Sequence, residues 1–426
     1  MVKANKKKTV GKNKRAHKEP APFVYLDHAA TTPVDANVLK AMLPYFDKYY
    51  ANPSSLHAPG QIAGAAVNNA RDDIAKILNA HADEIVFVSG GTASDNLAVV
   101  GTVNASTIEI KKLFGADAIP HVITSAIEHP AVLEPLIKLE RSGKIELTQL
   151  KPDRNGVIGV KDIMEVINER TILISIMYAN NEVGTVQPIT EIGKMIIKYR
   201  KSNNTTYPYF HTDACQAAGF YDLCVEKLHV DLMTLNGGKI YGPKGIGLLF
   251  VRRGIKIEPM IYGGGQERRL RSGTENVPGI VGLAKALEIV QKTREKESER
   301  LTKLRDKLIQ GLLAIEKSRL NGDAEKRLPN NVNISFMDIE GEAAMLYLDA
   351  KGIYCSTGSA CASRALDPSH VILALGLSYE AAHGSLRFTL GKSTTVKDIN
   401  YVIKVLPDVV KRLRAISPVS LDMKQF

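Results

Sequence analysis

The chain has 426 residues, of which 44% are hydrophobic and 24% are charged. That balance is typical of a folded globular protein large enough for two packed domains, and it excludes disorder of the whole chain. The longest apolar run, around residues 172–177, is far shorter than the ~20 residues of a membrane-spanning helix, and no signal segment opens the chain. We therefore expect a soluble, cytoplasmic protein without a membrane partner.

The formal net charge is +11, and much of it lies at the amino terminus. Residues 1–20 contain eight lysines and arginines against one glutamate, a net charge of +7, and almost no apolar side chains. This composition predicts a disordered basic tail over residues 1–20. We interpret the tail first as a solvated arm and second as an arm that binds RNA or other phosphates weakly.

Four cysteines stand at positions 215, 224, 355 and 361. Four cysteines in so long a chain do not form a disulfide framework, and no pair has the Cys-x-x-Cys spacing of a metal site. We expect free thiols in a reducing compartment and no resident metal ion.

The first predicted elements are short β-rich runs that alternate with helical patterns between about residues 80 and 250. The runs cover residues 84–89, 121–125, 171–177, 207–212 and 231–235. Apolar runs separated in this way predict a parallel sheet with helices on both faces. Because ligands bind at the carboxyl ends of such strands, the loops that follow them are the places to look for functional residues.

The second half of the chain begins with a glycine cluster at 263–265 and a long charged helical pattern from about 279 to 315. We interpret this helix as the bridge to a second domain. Strand patterns at 331–336 and 385–390, with further segments at 343–348 and 396–413, predict a smaller α+β unit. The predicted domains are a large one over 21–262 and a small one over 263–426.

The stretch Gly90-Gly-Thr-Ala-Ser-Asp-Asn96 follows a predicted strand and opens a helical pattern. Backbone N–H groups and the Thr92 hydroxyl at such a point suit a phosphate. Alone the signal is weak, and its glycine spacing matches neither a dinucleotide site nor a P-loop. Asp213 ends another predicted strand. Three roles are open to it: a solvated turn residue, a metal ligand or the partner of a cationic ring nitrogen. The lack of a histidine and carboxylate cluster at metal spacing favours the ring partner.

Two further features indicate covalent chemistry. Lys239 stands between glycines in Asn236-Gly-Gly-Lys-Ile-Tyr-Gly, where tight backbone can hold an amine that forms a Schiff base. Cys361 stands in Gly358-Ser-Ala-Cys, where small residues give a thiol the access that a nucleophile needs. Taken singly, an ordinary turn lysine and a buried structural cysteine are the commoner interpretations.

Together these features match what a protein needs to bind pyridoxal phosphate. It must bind the phosphate group, stack a side chain on the ring, keep the ring nitrogen protonated and form a bond from a lysine to the aldehyde. Three motifs, at 89–96, 263–274 and 358–361, make the chain resemble the pyridoxal-phosphate-dependent cysteine desulfurases of the class V aminotransferase family. The resemblance extends from Tyr25 to Pro418. It implies a fold type I α/β transferase with a mainly parallel seven-stranded sheet flanked by helices, and a smaller α+β domain.

The resemblance also implies a role for each matching residue. Lys239 would bind the cofactor aldehyde, His129 would stack on the ring and move protons, and Cys361 would accept sulfur. Asn181 and Arg387 would bind the substrate carboxylate. Thr274 would reach the phosphate of a second subunit, which implies a homodimer. The cofactor-binding set is Gly91, Thr92, His129, Asn181, Asp213, Gln216, Asn236, Gly238, Lys239 and Thr274.

The implied reaction removes sulfur from L-cysteine, giving L-alanine and a persulfide on Cys361. The persulfide would pass to an acceptor such as an iron–sulfur scaffold protein or a tRNA-thiolation protein. The same thiol is a candidate ligand for an iron–sulfur cluster in transfer. Alternatives that keep the fold are a selenocysteine lyase or another class V aminotransferase, although an aminotransferase needs no such thiol. A weakly catalytic sulfur-relay partner is a third alternative.

One departure from the family pattern concerns the phosphate grip. The family usually has Ser-x-His before the lysine, whereas this chain has Asn236-Gly237-Gly238. The missing hydroxyl and imidazole predict that contacts to the phosphate come from the Asn236 amide, from backbone N–H groups or from water. Lower cofactor affinity or lower activity would be the consequence.

Overall fold

The computed structural model describes residues 23–358 and 368–417. The strands and helices of the first part, in chain order, are β1 Val24–Tyr25, α1 Ala36–Met42, α2 Pro44–Asp47, α3 Ala58–Leu78, β2 Ile85–Val88, α4 Gly91–Phe114, β3 His121–Ser125, α5 Pro130–Arg141, β4 Glu146–Leu150, α6 Val160–Val166, β5 Thr171–Ser175, α7 Ile189–Asn203, β6 Tyr209–Asp213, α8 Val225–Leu228, β7 Leu232–Asn236 and β8 Gly247–Val251. The second part comprises α9 Val277–Leu313, β9 Ser318–Leu320, β10 Asn331–Phe336, α10 Gly341–Asp349, β11 Ile353–Tyr354, α11 His370–Ala374, α12 Tyr379–His383, β12 Ser385–Thr389 and α13 Val396–Ile416.

A seven-stranded sheet in the order β2-β8-β7-β6-β5-β3-β4 forms the centre of the first part. The strands from β7 to β4 pair in parallel, and β8 runs antiparallel to both of its neighbours. The residues of β3, β5, β6 and β8 are all buried, as expected of strands covered by helices on both faces. The predicted fold class, a mainly parallel seven-stranded sheet flanked by helices, is confirmed.

The five strands predicted in this part are confirmed within a few residues, but two strands of the sheet escaped the sequence analysis. Strand β4 lies at the sheet edge, and four of its five residues retain solvent exposure. Its sequence Glu-Leu-Thr-Gln-Leu therefore lacks the continuous apolar pattern of a buried strand. Strand β8 follows a Gly-Pro-Lys-Gly turn after β7 and pairs with it locally, without an intervening helix.

The second part contains a three-stranded antiparallel sheet in the order β12-β10-β9. Its apolar side chains share a core with α9, α10 and α13, and the buried residues of α13 recur at helical spacing from Ile399 to Leu413. Thr395 begins this helix with a capping box, accepting from the Asp398 N–H while the Asp398 carboxyl accepts from the Thr395 N–H. The smaller α+β unit is thus present as predicted.

Two segments connect the cores of the large and small units. Helix α9 contributes residues 277–290 to the core of the large unit and residues 301–312 to that of the small unit. Strand β1 pairs in parallel with β11, and Val24 and Leu26 pack in the core of the small unit. The predicted domain boundaries at 20/21 and 262/263 stay predictions, and this packing places the start of the described chain against the small unit.

Within the ranges 23–358 and 368–417, no helix combines the length and the apolar character that crossing a membrane requires.

Candidate active site

The loops at the carboxyl ends of five strands of the large sheet converge on two adjoining cavities of about 600 Å³ and 200 Å³. The loops follow β2, β3, β5, β6 and β7, which is the edge that the parallel topology predicts for a ligand site. The two cavities share five lining residues, namely Ala30, Gly91, Thr92, Asn236 and Lys239.

The amino terminus of α4 faces both cavities. A Cβ atom added to Gly91 would lie 3.2 Å from the Cys215 Sγ and 3.3 Å from the Asn236 Nδ2, so glycine permits this close approach of three loops. The helix has 24 residues, and the N–H groups of its first turn have no partner within the helix. Together with the Thr92 hydroxyl they form a cradle suited to an anion, as the sequence predicted.

Lys239 lies in a short 3₁₀ turn, Gly237–Lys239, directly after β7. Its Nζ donates to the carbonyl oxygens of Ala29 at 2.7 Å and Ala30 at 2.8 Å, and its side chain lines both cavities. The two carbonyls come from the segment after β1, some 210 residues away in sequence. They hold the amine at the wall of the two cavities, which Gly91 and Thr92 of the anion cradle also line.

Asp213 ends β6 and lines the smaller cavity. Its Oδ1 accepts the Cys215 N–H at 2.8 Å, which fixes the carboxyl group. Asp95 lies close by, and burial together with the charge of Asp213 raises the pKa of Asp95 well above its usual range. His211 is also buried, which lowers the pKa of this imidazole to about 4. His211 is thus neutral near pH 7.

His129 caps the amino terminus of α5 and lines the smaller cavity. Its Nδ1 accepts the Ala131 N–H at 3.0 Å, which requires the neutral ring to carry its proton on Nε2. Burial lowers the pKa of His129, so the ring is neutral near pH 7. A neutral, buried imidazole with a fixed tautomer suits both stacking on a flat ring and proton transfer at Nε2.

Glu128, the neighbour of His129, is completely buried. Its Oε1 accepts from the Ser125 Oγ at 2.6 Å and from the Met177 N–H at 2.9 Å. Burial is the largest effect on this carboxyl group and raises the pKa of Glu128 to about 8. The side chain is therefore largely protonated at neutral pH and braces the β3 and β5 loops without adding a charge.

Arg387 reaches the smaller cavity from β12 of the small unit and is only 2% exposed. Its Nη2 forms an ion pair with the Asp27 Oδ1 at 2.8 Å, and its Nη1 donates to the Asn181 carbonyl at 3.1 Å. The Nε atom has no hydrogen-bond partner among the described residues. A buried guanidinium with an unused donor beside Asn181 is suited to a carboxylate ligand.

Asn236, where the family has serine, lines both cavities. Its Oδ1 accepts the Gly238 N–H at 3.1 Å, which leaves the Nδ2 side of the amide towards Gly91. A Cβ on Gly238 would meet the Lys244 Cγ at 3.5 Å, an ordinary contact distance, so the place of the usual histidine is open. Gln216 donates from its Nε2 to the Ala29 carbonyl at 3.1 Å.

Most of the predicted site residues thus lie around the two cavities. Thr274 is exposed and lines neither cavity. Cys361 lies outside the described residues, as does the predicted tail at 1–20. The residues brought together are Gly91, Thr92, His129, Asn181, Asp213, Gln216, Asn236, Gly238, Lys239 and Arg387.

The sequence analysis missed several residues that shape the site. Asp27 pairs with Arg387, and the carbonyls of Ala29 and Ala30 hold Lys239. All three lie near Tyr25, where the resemblance begins, and the sequence analysis assigned them no role. Asp95, the fifth residue of α4, also lines the smaller cavity and was assigned no role.

Two of the other cysteines are unsuited to nucleophilic attack. Cys355 is buried, and burial raises the pKa of its thiol. Cys215 is buried beside Asp213, and burial with the nearby negative charge raises its thiol pKa well above the usual range. Neither thiol is ionised near neutral pH, and the thiolate is the nucleophilic form. The third, Cys224, is partly exposed at the start of α8.

Comparisons with known proteins bear on the whole chain. Residues 24–402 match the family model described as aminotransferase class-V. A protein of Methanosarcina thermophila named cysteine desulfurase IscS is 49% identical over 397 residues, which cover 93% of this chain and 94% of that protein. The chain is therefore similar to this protein over nearly its full length.

Solved structures show the same similarity. A NifS-like protein superposes with a TM-score of 0.82 at 35% identity, covering 92% of this chain and all of that one. A structure described as SspA in complex with cysteine superposes with a TM-score of 0.72 at 35% identity, covering 86% of this chain and 98% of that one.

Proposed function

The chain belongs to the class V aminotransferase family and is a pyridoxal-phosphate-dependent cysteine desulfurase, and from this premise we propose which residues carry out each part of its reaction. One observation carries the assignment. Lys239, Asp213, His129 and Arg387, which come from four different parts of the chain, line a single cavity. Each offers the chemical group that one part of the reaction requires.

The cavity residues fit pyridoxal phosphate. The first turn of α4 with Gly91 and Thr92 offers N–H and hydroxyl donors for a phosphate, and the Asn236 amide lies beside them. Asp213 offers a fixed carboxylate for a protonated ring nitrogen. When bound, the cofactor supplies an aldehyde that reacts with amines and a ring that withdraws electrons from the substrate α-carbon.

Lys239 is the amine that holds the aldehyde and, once released, the base at the substrate α-carbon. The carbonyls of Ala29 and Ala30 accept hydrogen bonds from its Nζ at 2.7 and 2.8 Å. They keep the amine at the wall of the cavity, within reach of both roles. His129 covers one side of the same cavity and can pass protons through its Nε2.

Arg387 and Asn181 hold the substrate carboxylate. The Arg387 guanidinium is oriented by Asp27 on one side and by the Asn181 carbonyl on the other. This orientation leaves donors directed at the cavity, and the planar fork of arginine suits two parallel hydrogen bonds to a carboxylate. The solved complex of a similar protein with cysteine supports an amino-acid thiol as the substrate.

Cys361 accepts the sulfur. Its thiolate attacks the substrate sulfur, so that a sulfur–sulfur bond forms while the carbon–sulfur bond of cysteine breaks. The electron pair of the broken bond stays with the substrate, which gains a proton at that carbon and leaves as L-alanine. The two sulfur atoms are oxidised to the persulfide level and the carbon is reduced, so no external oxidant is needed.

The assembly and the partners of the enzyme belong to the same proposal. We assign Thr274, which is exposed and lines neither cavity of its own subunit, to the phosphate of a second copy in a homodimer. The persulfide sulfur goes to an iron–sulfur scaffold protein in the cytoplasm. The name cysteine desulfurase IscS, which two similar proteins carry, supports the removal of sulfur from cysteine. A tRNA-thiolation protein is a second acceptor of the same chemistry, and the basic tail offers weak affinity for RNA.

A pulse of L-cysteine tests the sulfur step. The loaded enzyme should release one alanine per persulfide, and mass spectrometry should find the additional sulfur on Cys361. Cys361→Ser should still bind L-cysteine, seen as a change of the cofactor absorbance, but form neither alanine nor persulfide, because a serine hydroxyl is not ionised at neutral pH. Additional sulfur on Cys215 or Cys355, or full turnover in Cys361→Ser, would overturn the proposal.

A further inference from the structure

Glu182 follows Asn181 and is only 1% exposed. Its Oε2 accepts a hydrogen bond from the Ser369 Oγ at 2.5 Å and lies 3.1 Å from the point that a Cβ on Gly358 would occupy. Gly358 and Ser369 flank residues 359–367, which lie outside the described residues and include Cys361. One buried carboxyl group therefore binds Ser369 after the segment that carries the sulfur acceptor and lies close to Gly358 before it.

The position of Glu182 is itself determined by both units of the molecule. Its N–H donates to the Asn180 Oδ1 at 2.8 Å in the loop after β5. Its carbonyl accepts from the Nδ2 atoms of Asn331 and Asn333, each at 3.1 Å, on β10 of the small unit. The carboxyl group is thus held by a backbone that three hydrogen bonds fix on two sides.

The chain before Cys361 is connected to the substrate-binding arginine. Ser356 pairs with Arg387 through two backbone hydrogen bonds of 3.1 and 2.6 Å. The Arg387 guanidinium in turn donates to the carbonyl of Asn181, the neighbour of Glu182. A short closed path therefore joins Ser356, Arg387, Asn181 and Glu182.

The chain after Cys361 is connected to the cofactor side. Ser369 caps α11, accepting the Ile372 N–H at 3.2 Å while its hydroxyl donates to Glu182. The next residue, His370, forms a hydrogen bond from its Nε2 with the Glu128 carbonyl at 3.1 Å, next to His129. Both ends of the segment are thus fixed to the loops that carry His129 and Asn181.

Gly358 makes the close approach to Glu182 possible. Its φ of +151° lies in a region that other residues rarely adopt. Any side chain there would begin 3.1 Å from the Glu182 carboxyl oxygen, which is closer than an ordinary van der Waals contact. Glycine at this position therefore lets the carboxyl group adjoin the backbone on one side while it binds Ser369 on the other.

We propose that Glu182 is a positioning residue for sulfur transfer, which fixes Gly358 and Ser369 relative to Asn181 and Arg387 and thereby sets where Cys361 meets the substrate sulfur. The inference rests on the proposed function, in which Cys361 is the acceptor. Small displacements of reacting groups cost about a hundredfold in rate. Loss of the Ser369 contact should accordingly slow the sulfur step and leave the binding of cofactor and substrate intact.

The test compares Ser369→Ala with a matched control, Ser378→Ala. Ser378 caps α12 by accepting the Ala381 N–H at 3.3 Å, so its removal costs an equivalent cap in a neighbouring five-residue helix. The cofactor-loaded proteins are mixed with L-cysteine, and the affinity for cysteine, the rate of persulfide formation on Cys361 and the melting temperature are measured.

We expect Ser369→Ala to form the persulfide about tenfold more slowly than Ser378→Ala, with cysteine affinity within twofold of the wild type. The two variants should melt at similar temperatures. Ser369→Thr, which keeps the hydroxyl, should restore most of the rate. In Glu182→Gln, adding Ser369→Ala should slow the reaction less than it does in the wild type, because the two residues act through one contact.

Equal persulfide rates in Ser369→Ala and Ser378→Ala would overturn the inference, as would a parallel loss of cysteine affinity. The proposed function would survive both results, provided that the wild type carries its persulfide on Cys361. A wild type that carries the sulfur elsewhere would instead overturn the proposed function, whatever the variants do.

Discussion

The two sides of the active site are built in different ways. On the cofactor side, the anion cradle, Asp213 and Lys239 all follow strands of one buried parallel sheet. On the substrate side, Arg387 belongs to the three-stranded sheet of the small unit and reaches the cavity through contacts with Asp27 and Asn181. The first side depends on neighbouring strands of one sheet, and the second depends on contacts between units.

This difference suggests that cofactor binding and sulfur transfer are separable. Residues at strand ends are held by the hydrogen bonds of the sheet itself, so they keep their places when a substrate residue is changed. Arg387 and Glu182 are held by a small number of side-chain contacts across the units, so a single substitution should affect substrate binding or sulfur transfer alone. The following predictions test this separation.

The largest effect is expected for Lys239→Ala, which removes the base and the cofactor-binding amine together. Turnover should fall by at least about three orders of magnitude, the loss typical of a missing catalytic base. Borohydride reduction of the wild type, followed by peptide mass spectrometry, should place the cofactor on Lys239. Lys227→Ala, an exposed lysine paired with Asp222, is the control. A cofactor attached to another lysine would contradict the assignment.

Arg387→Lys tests the substrate side alone. Lysine keeps the charge but loses the planar fork, so kcat/KM for L-cysteine should fall about 10- to 100-fold, the loss of one or two hydrogen bonds to a charged group. Cofactor content, measured by absorbance, should stay at the wild-type level. Arg412→Lys, on the exposed face of α13 in the same unit, should change neither quantity. Loss of cofactor in Arg387→Lys would show that the two sides are not separable.

The same division explains how much could be predicted from sequence. Cofactor-side residues follow apolar, β-branched runs such as His121–Ser125 and Thr171–Ser175, whose local pattern indicates a strand and therefore a ligand loop at its end. Asp213 and the cradle before Asn96 could therefore be placed on one sheet edge. The missed strand β4 has an exposed edge position, which weakens that pattern.

Contacts between segments that are far apart in sequence could not be predicted from local sequence patterns. Asp27 and Arg387 are 360 residues apart, and β1 pairs with β11 across more than 300 residues. Neither pairing shows in the spacing of nearby residues, because each joins segments that are distant in sequence and meet only in the folded chain. The pKa of a buried group such as Glu128 depends in the same way on the side chains around it.

Thr274→Ala tests whether the cofactor side extends across a dimer. Loss of one hydrogen bond to a charged phosphate should weaken cofactor affinity about tenfold, measured by titration of the cofactor-free enzyme. The sedimentation coefficient should remain that of a dimer. Thr107→Ala is the control, since the Thr107 hydroxyl bonds within its own helix to the Val103 carbonyl. A fully active monomer at low concentration would contradict the shared site.

Glu128→Gln tests whether the buried Glu128 carboxyl group on the cofactor side makes the stability of the protein depend on pH. The pKa of Glu128 is raised by burial to about 8 in the folded protein, so the folded state holds a proton that the unfolded state loses above about pH 4.5. Stability should fall by up to about 1.4 kcal/mol per pH unit between these values, and the loss should end above pH 8. The melting temperature of Glu128→Gln should fall less steeply over pH 5 to 8. An identical slope in both proteins would contradict this assignment of the proton.

The smallest effect on catalysis is expected for deletion of residues 1–20, to which no role in catalysis or cofactor binding is assigned. They carry +7 of the net charge of +11, so their removal should change only interactions that depend on charge. Turnover of L-cysteine should equal that of the full chain. Binding to RNA or to an acidic protein should weaken, and its dependence on salt should become shallower, because fewer counterions are released.

The deletion also sharpens the comparison between the two sides. A variant with the basic residues of 1–20 replaced by glutamine, at unchanged length, separates charge from chain length. If charge alone matters, the glutamine variant and the deletion should bind RNA equally weakly at low salt. At high salt the RNA affinities of these two proteins and of the full chain should become equal, because screening removes the effect of the charges. Reduced turnover in the deletion, with full turnover in the glutamine variant, would instead show that the segment supports the active site by contact, and the site would then have a third contributor.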